Sequence, residues 1–195
     1  MRWPTLSALI LGIGTILTAK VCPAGDLFYG MSVFGGAQYD SDEIWHTEKH
    51  RDWREIQVRP LVGIHKTDRW DLWVEGSLGY IEWEDEPEAV NAGEVPYSIE
   101  AGVIGMTSYD VLKKGPWSLY GELGVGVGWM SETPDTNLVD TGILGFLDYG
   151  LGVKARTESG YIFKLGPRFH HRSCLTSVDA GLNSYGVMLG VAKER

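Results

Sequence analysis

The sequence predicts an all-β protein, an eight-stranded antiparallel transmembrane β-barrel, and three observations predict it. From Leu27 onward the chain reads as eight two-residue alternations, and no segment has a convincing helical period. The connections between these segments alternate long and short, the asymmetry of bacterial outer-membrane barrels. Where the alternation is clearest, one face is apolar with an aromatic residue at each end and the other is small or polar. Past the first 24 residues no run of 18 apolar residues occurs, which excludes a bundle of transmembrane helices and leaves a barrel open.

Taken in chain order, the segments span 27–38, 54–65, 70–83, 97–107, 117–130, 144–156, 160–173 and 183–192. The second carries Glu55, Gln57 and Arg59 on one face, a set suited to a hydrated interior. The fifth sets Trp117, Leu119, Leu123, Val125, Val127 and Trp129 on one face and Ser118, Tyr120, Glu122, Gly124, Gly126 and Gly128 on the other. Trp117 to Trp129 is roughly 40 Å of strand, and a tilt of about 40° brings this to roughly 30 Å along the membrane normal, the thickness of a bilayer core. The connections are 39–53, 66–69, 84–96, 108–116, 131–143, 157–159 and 174–182, so the long ones share one end of the barrel, expected outside the cell. A soluble eight-stranded barrel of lipocalin type is the alternative, with apolar residues turned inward around a ligand. The glycine-rich inner face of the fifth segment favours a narrow barrel filled by polar side chains.

Residues 1–24 read as a secretory signal peptide, with Arg2 at its start, an apolar core from Leu6 to Leu17 and the small-residue stop Cys22-Pro23-Ala24. The domain then comprises residues 25–195. Val21 is bulkier than the small residue a lipidation site at Cys22 needs. Loss of Cys22 with the leader leaves Cys174 alone, so no intramolecular disulfide is expected. The chain carries a formal charge of −9, and removing the leader takes away Arg2 and Lys20 and no acid. This balance argues against a phosphate-backbone binder, and no nucleic-acid partner is expected.

Three patterns suggest sites but have simpler readings. Gly124-Val-Gly126-Val-Gly128 lies inside a strand with the wrong spacing for a nucleotide loop and leads into no helix. His46, Glu48 and His50 stand beside Asp40, Asp42 and Glu43 in the first long connection, which reads as a solvated acidic loop rather than a metal site. The acidic stretch from Glu82 to Glu88 reads likewise. No metal and no cofactor are expected.

The seventh segment carries the chemistry. Tyr161, Phe163, Leu165, Pro167, Phe169, His171 and Ser173 share one face, and Lys164, Arg168, His170 and Arg172 share the other. The charged set belongs in the interior, so His171 and Ser173 face lipid at the outer end of the strand. Residues two apart on one face lie about 6.6 Å apart at Cα, a gap that inclined side chains can close. Parity in the eighth segment puts Asn183 with Tyr185, Val187, Leu189 and Val191 on the lipid face, beside the end of the seventh. The arrangement suits a nucleophile (Ser173), a base (His171) and a residue that holds the imidazole tautomer (Asn183), with backbone N–H groups after Ser173 as the oxyanion site. His-x-Ser is a weak signal by itself; shared parity, rim position and a third polar residue give it weight.

The run from Phe163 to Ser173, followed by Gly181-Leu-Asn183-Ser-Tyr-Gly-Val-Met-Leu-Gly190, resembles the C-terminal signature of the lipid A 3-O-deacylase (PagL) family. The resemblance implies an outer-membrane serine esterase that removes the 3-O-linked acyl chain of lipid A in lipopolysaccharide, with His171 as base and Ser173 as nucleophile. It implies lipid A of the bacterial outer leaflet as partner and leaves a homodimer open. Cys174 stands where the family often has an Asn, and Asn183 where its best-known form has a Glu. The chain also ends Ala192-Lys-Glu-Arg195 rather than in an aromatic residue. The alternative is a non-catalytic structural or lipid-binding outer-membrane barrel, which Cys174 favours.

Overall fold

The computed structural model describes residues 26–38, 53–83, 96–131, 142–175 and 181–195. The expected leader, the His46 to His50 loop and the acids from Glu84 to Glu88 lie outside these residues. Among the described residues, eight strands form: β1 Leu27–Ala37, β2 Trp53–His65, β3 Trp70–Trp83, β4 Tyr97–Lys114, β5 Trp117–Met130, β6 Gly142–Arg156, β7 Tyr161–Cys174 and β8 Leu182–Glu194. Each pairs antiparallel with its chain neighbour, and β8 returns to β1 through pairs such as Met31↔Val191 to close the barrel. Closure leaves no strand edge with unpaired backbone groups, which a sheet in hydrocarbon requires.

Strand parity decides what faces where. On β5, Trp117, Leu119, Leu123, Val125, Val127 and Trp129 point outward and are each half exposed or more. Outward aromatics gather at both ends: Tyr29, Trp70, Tyr109, Trp117 and Tyr161 at the short-turn end, and Tyr80, Tyr97, Trp129 and Tyr185 toward the other. An apolar band between two aromatic girdles matches hydrocarbon flanked by headgroups. The lipocalin alternative falls here, because the apolar rows lie on the outside.

Charged side chains fill the middle of the interior. Arg172 pairs with Glu55 and Glu100, and Arg59 and His170 both contact Asp148. Arg168 bridges Glu75 (3.0 Å) and Glu122 (2.6 Å), and Gln57 links Arg59 (2.7 Å) to Glu55 (2.8 Å). Nearer the short turns, Lys154 pairs with Asp71 (2.8 Å) and Asp110 (2.6 Å). Buried charges are tolerated only when paired in this way. Above this column an apolar layer closes the end of the barrel: Trp53, Ile81, Trp83, Met130, Leu144 and Leu182 are buried, with the two indoles 5.3 Å apart. Their N–H groups donate to Ser184 (3.1 Å) and Ser98 (2.9 Å).

One local expectation is corrected and another is refined. Residues 108–114 belong to β4, so the fourth connection shrinks to Gly115-Pro116, with Gly115 at φ 59° as a tight turn needs. A bulge between Asp110 and Leu112 turns Val111 and Leu112 to the same side, breaking the period of two. The glycines of β5 do line a narrow interior, but their neighbours are apolar: Met106 and Ile104 press on Gly124, and the Phe146 ring covers Gly128.

Candidate active site

The site forms where β6, β7 and β8 meet at the long-connection end. His171 on β7 lies opposite Asn183 on β8 and Leu147 on β6, and Ser173 lies opposite Gly145 on β6. Their inward neighbours are buried: His170 and Arg172 sit in the charged column, and Leu182 and Ser184 lie beside them from β8. Inward charge pairs thus hold the backbone from which His171, Ser173 and Asn183 project outward. The structure places all three expected residues on the lipid-facing side.

His171 Nδ1–H donates to Asn183 Oδ1 at 2.7 Å. A carbonyl acceptor there fixes the tautomer with the proton on Nδ1 and leaves the Nε2 lone pair to accept another. Two further contacts set the ring. Its plane lies parallel to Phe169, with 5° between planes and 6.4 Å between centroids. Phe169 packs in turn on Tyr149 (4.5 Å) and Tyr185 (4.9 Å), so the imidazole caps an aromatic stack on the outer wall. Gly181, at φ 75°, lies against the other edge: a Cβ there would stand 2.7 Å from His171 Cε1 and 3.4 Å from Nε2.

Ser173 stands one outward step beyond His171 on the same face, and no hydrogen bond joins its Oγ to the ring among the described residues. Gly145 opens the wall beside it. A Cβ on Gly145 would be 3.5 Å from Ser173 Oγ and 2.9 Å from Leu175 Cδ2, so the glycine leaves room for the exposed Leu175 side chain to lie beside the hydroxyl. The expected oxyanion donors need one correction. The Leu175 amide donates to Ile143 O at 3.3 Å and is therefore engaged by the ladder. The alternation of an antiparallel pair turns the preceding amide, that of Cys174, away from β6.

Gly145, Gly181, Phe169 and Tyr185 escape the sequence reading as site residues. Gly181 carries a signal, since it directly precedes the strand that bears Asn183. Gly145 carries another, as a gap in the outward apolar row Ile143, Leu147, Tyr149, Leu151 and Val153.

An eight-stranded closed barrel with an apolar outer band, aromatic girdles and a charged core defines a bacterial outer-membrane protein. Solved outer-membrane barrels share this fold. The crystal structure of Neisserial surface protein A (NspA) superposes with a TM-score of 0.56 at 11% identity, covering 87% of this chain and 96% of that one. The outer membrane enzyme PagL gives 0.53 at 16% identity, covering 83% and 97%. OprG from Pseudomonas aeruginosa gives 0.50 at 10% identity, covering 88% and 96%. No curated protein matches the sequence. Residues 53–192 match the family "Lipid A 3-O-deacylase (PagL)", and the chain belongs to that family. It is a lipid A deacylase-like barrel of the bacterial outer membrane.

Proposed function

We propose that the protein is a serine esterase that removes the 3-O-linked acyl chain from lipid A of lipopolysaccharide in the outer leaflet. The observation that supports this most is the 2.7 Å bond from His171 to Asn183 on the outward face that also bears Ser173. An acyl chain in the bilayer approaches this face sideways, without leaving hydrocarbon.

Ser173 Oγ attacks the ester carbonyl while His171 Nε2 takes its proton. The approach of substrate brings the two side chains together, as catalytic hydrogen bonds often tighten only in the complex. Asn183 keeps the Nδ1–H tautomer. The Cys174 amide is the oxyanion donor this reading assigns after Ser173. Collapse breaks the ester C–O bond, and His171 returns the proton to the departing 3-hydroxyl of the sugar. Water, deprotonated by His171, then hydrolyses the acyl-Ser173 intermediate and releases the fatty acid. The chemistry requires no cofactor.

A fluorophosphonate probe tests the nucleophile. Labelling of the folded barrel that disappears in Ser173→Ala is expected; a folded barrel that takes no label contradicts the reading and favours a non-catalytic lipid-binding barrel.

Two variants probe how the imidazole is held. Asn183→Ala frees the ring and is expected to lower kcat by about 100-fold, with KM little changed. Asn183→Glu keeps an acceptor and adds a charge that stabilises imidazolium, so kcat is expected to exceed that of the wild type; steady-state assays on a micellar ester separate the two. Gly181→Ala forces a Cβ to within 2.6 Å of the Arg172 carbonyl oxygen and 2.7 Å of His171 Cε1, and a side chain into positive φ. Its expected loss in kcat/KM is about 100-fold, in a barrel whose heat-modifiable gel migration is unchanged.

A further inference from the structure

At the opposite, short-turn end, β4 continues from Asp110 to Lys114 beyond its last pairing with β3 at Trp70↔Tyr109, and stays paired with β5 as far as Lys114↔Trp117. The bulge turns Val111 and Leu112 both outward, 63% and 55% exposed, so the projecting hairpin is apolar on its outer side. Its tip is basic, with Lys113 and Lys114 before the turn. The β2–β3 turn adds Lys66 and Arg69 beside it. Lys113 Nζ donates to Asp68 O (2.9 Å) and the Asp110 amide to Arg69 O (2.8 Å), which ties the two turns into one surface.

All four cations are exposed, against two exposed acids, Asp68 in the β2–β3 turn and Asp26 beside Lys66. The cluster therefore opposes the sign of the chain, which is −9 overall. It lies just past outward Trp70 and Tyr109, which pair across β3 and β4, and level with Trp117, which pairs with Lys114, the aromatic girdle that marks the headgroup level on this side. Lysine and arginine stems run along apolar surface while their heads reach phosphate depth.

The geometry points to a docking surface for the anionic headgroups of glycerophospholipids in the periplasmic leaflet, formed by Lys66, Arg69, Lys113 and Lys114 beneath the Val111-Leu112 bulge. Charge complementarity selects an anionic headgroup over a zwitterionic one. The girdle sets the depth at which that headgroup meets the cations. This surface is independent of the esterase reading, because it lies at the other end of the barrel from Ser173.

The full chain, folded in detergent and incubated with equimolar phosphatidylglycerol and phosphatidylcholine, tests the surface by native mass spectrometry. Wild type is expected to retain phosphatidylglycerol over phosphatidylcholine by about tenfold or more, since each basic residue near a membrane surface contributes appreciably. K66Q/R69Q/K113Q/K114Q is expected to bring the ratio close to one. K66Q/K114Q, which keeps the Lys113 bond to Asp68 O, is expected to give an intermediate ratio and serves if the quadruple variant does not fold. A wild type without preference, or a folded variant that keeps it, overturns the proposal. A parallel incubation with lipid A separates the two phosphate sources: its retention is expected to be the same in wild type and variant, and a variant that loses lipid A while keeping phosphatidylglycerol overturns the assignment.

Discussion

Ser173→Ala is expected to fold as the wild type does and to lose at least about 10⁴-fold in kcat on an ester substrate. The side chain is half-buried on the outer wall and no interior ion pair depends on it, so the barrel keeps its charged column. His171→Ala is expected to cost a comparable factor, and the double variant no more than either alone, because nucleophile and base act as one unit. Steady-state rates of the three variants, each checked for heat-modifiable migration, decide this. Equal activity in Ser173→Ala and wild type contradicts the assigned nucleophile. Additive losses contradict a shared step.

Arg172→Leu is expected to destabilise the barrel by about 3–5 kcal/mol, the cost of leaving buried carboxylates without their partner. Arg172 is fully buried, pairs with Glu55 and Glu100, and donates to Ser184 at 3.2 Å. It also lies between His171 and Ser173, so its inward anchor holds the backbone from which both project. Urea unfolding in micelles is expected to show a clearly lowered midpoint, and turnover below the transition is expected to fall as well. An unchanged midpoint contradicts the view that the charged column holds β7.

Strand parity made most of this architecture legible. A period of two puts Lys164, Arg168, His170 and Arg172 on one side of β7 and His171 and Ser173 on the other, whatever the neighbours are. The same rule set Asn183 outward, and antiparallel order set it beside the end of β7. What parity does not reach is cross-strand register. Gly145 lies opposite Ser173, and Gly181 lies against the imidazole edge, only because β6, β7 and β8 pair in one particular register. Parity also fails at a bulge, where adjacent Val111 and Leu112 face the same way and hide the last turn of β4. Trp53 falls at the end of the 39–53 connection when the alternation alone sets the bounds of the second segment. In the barrel it belongs to the apolar layer over the charged column, against Trp83. The oxyanion donors after Ser173 needed the ladder itself, since only the bond from the Leu175 amide to Ile143 O separates an engaged amide from its neighbour.

The proposed reaction is hydrolysis of an ester of lipid A through Ser173. Mass spectrometry of lipid A after incubation with refolded wild type and with Ser173→Ala, both in detergent, tests it most directly. Loss of one ester-linked acyl chain, from the 3-position, is expected with wild type alone. Unchanged lipid A in the presence of folded wild-type barrel, or the same loss with Ser173→Ala, contradicts it.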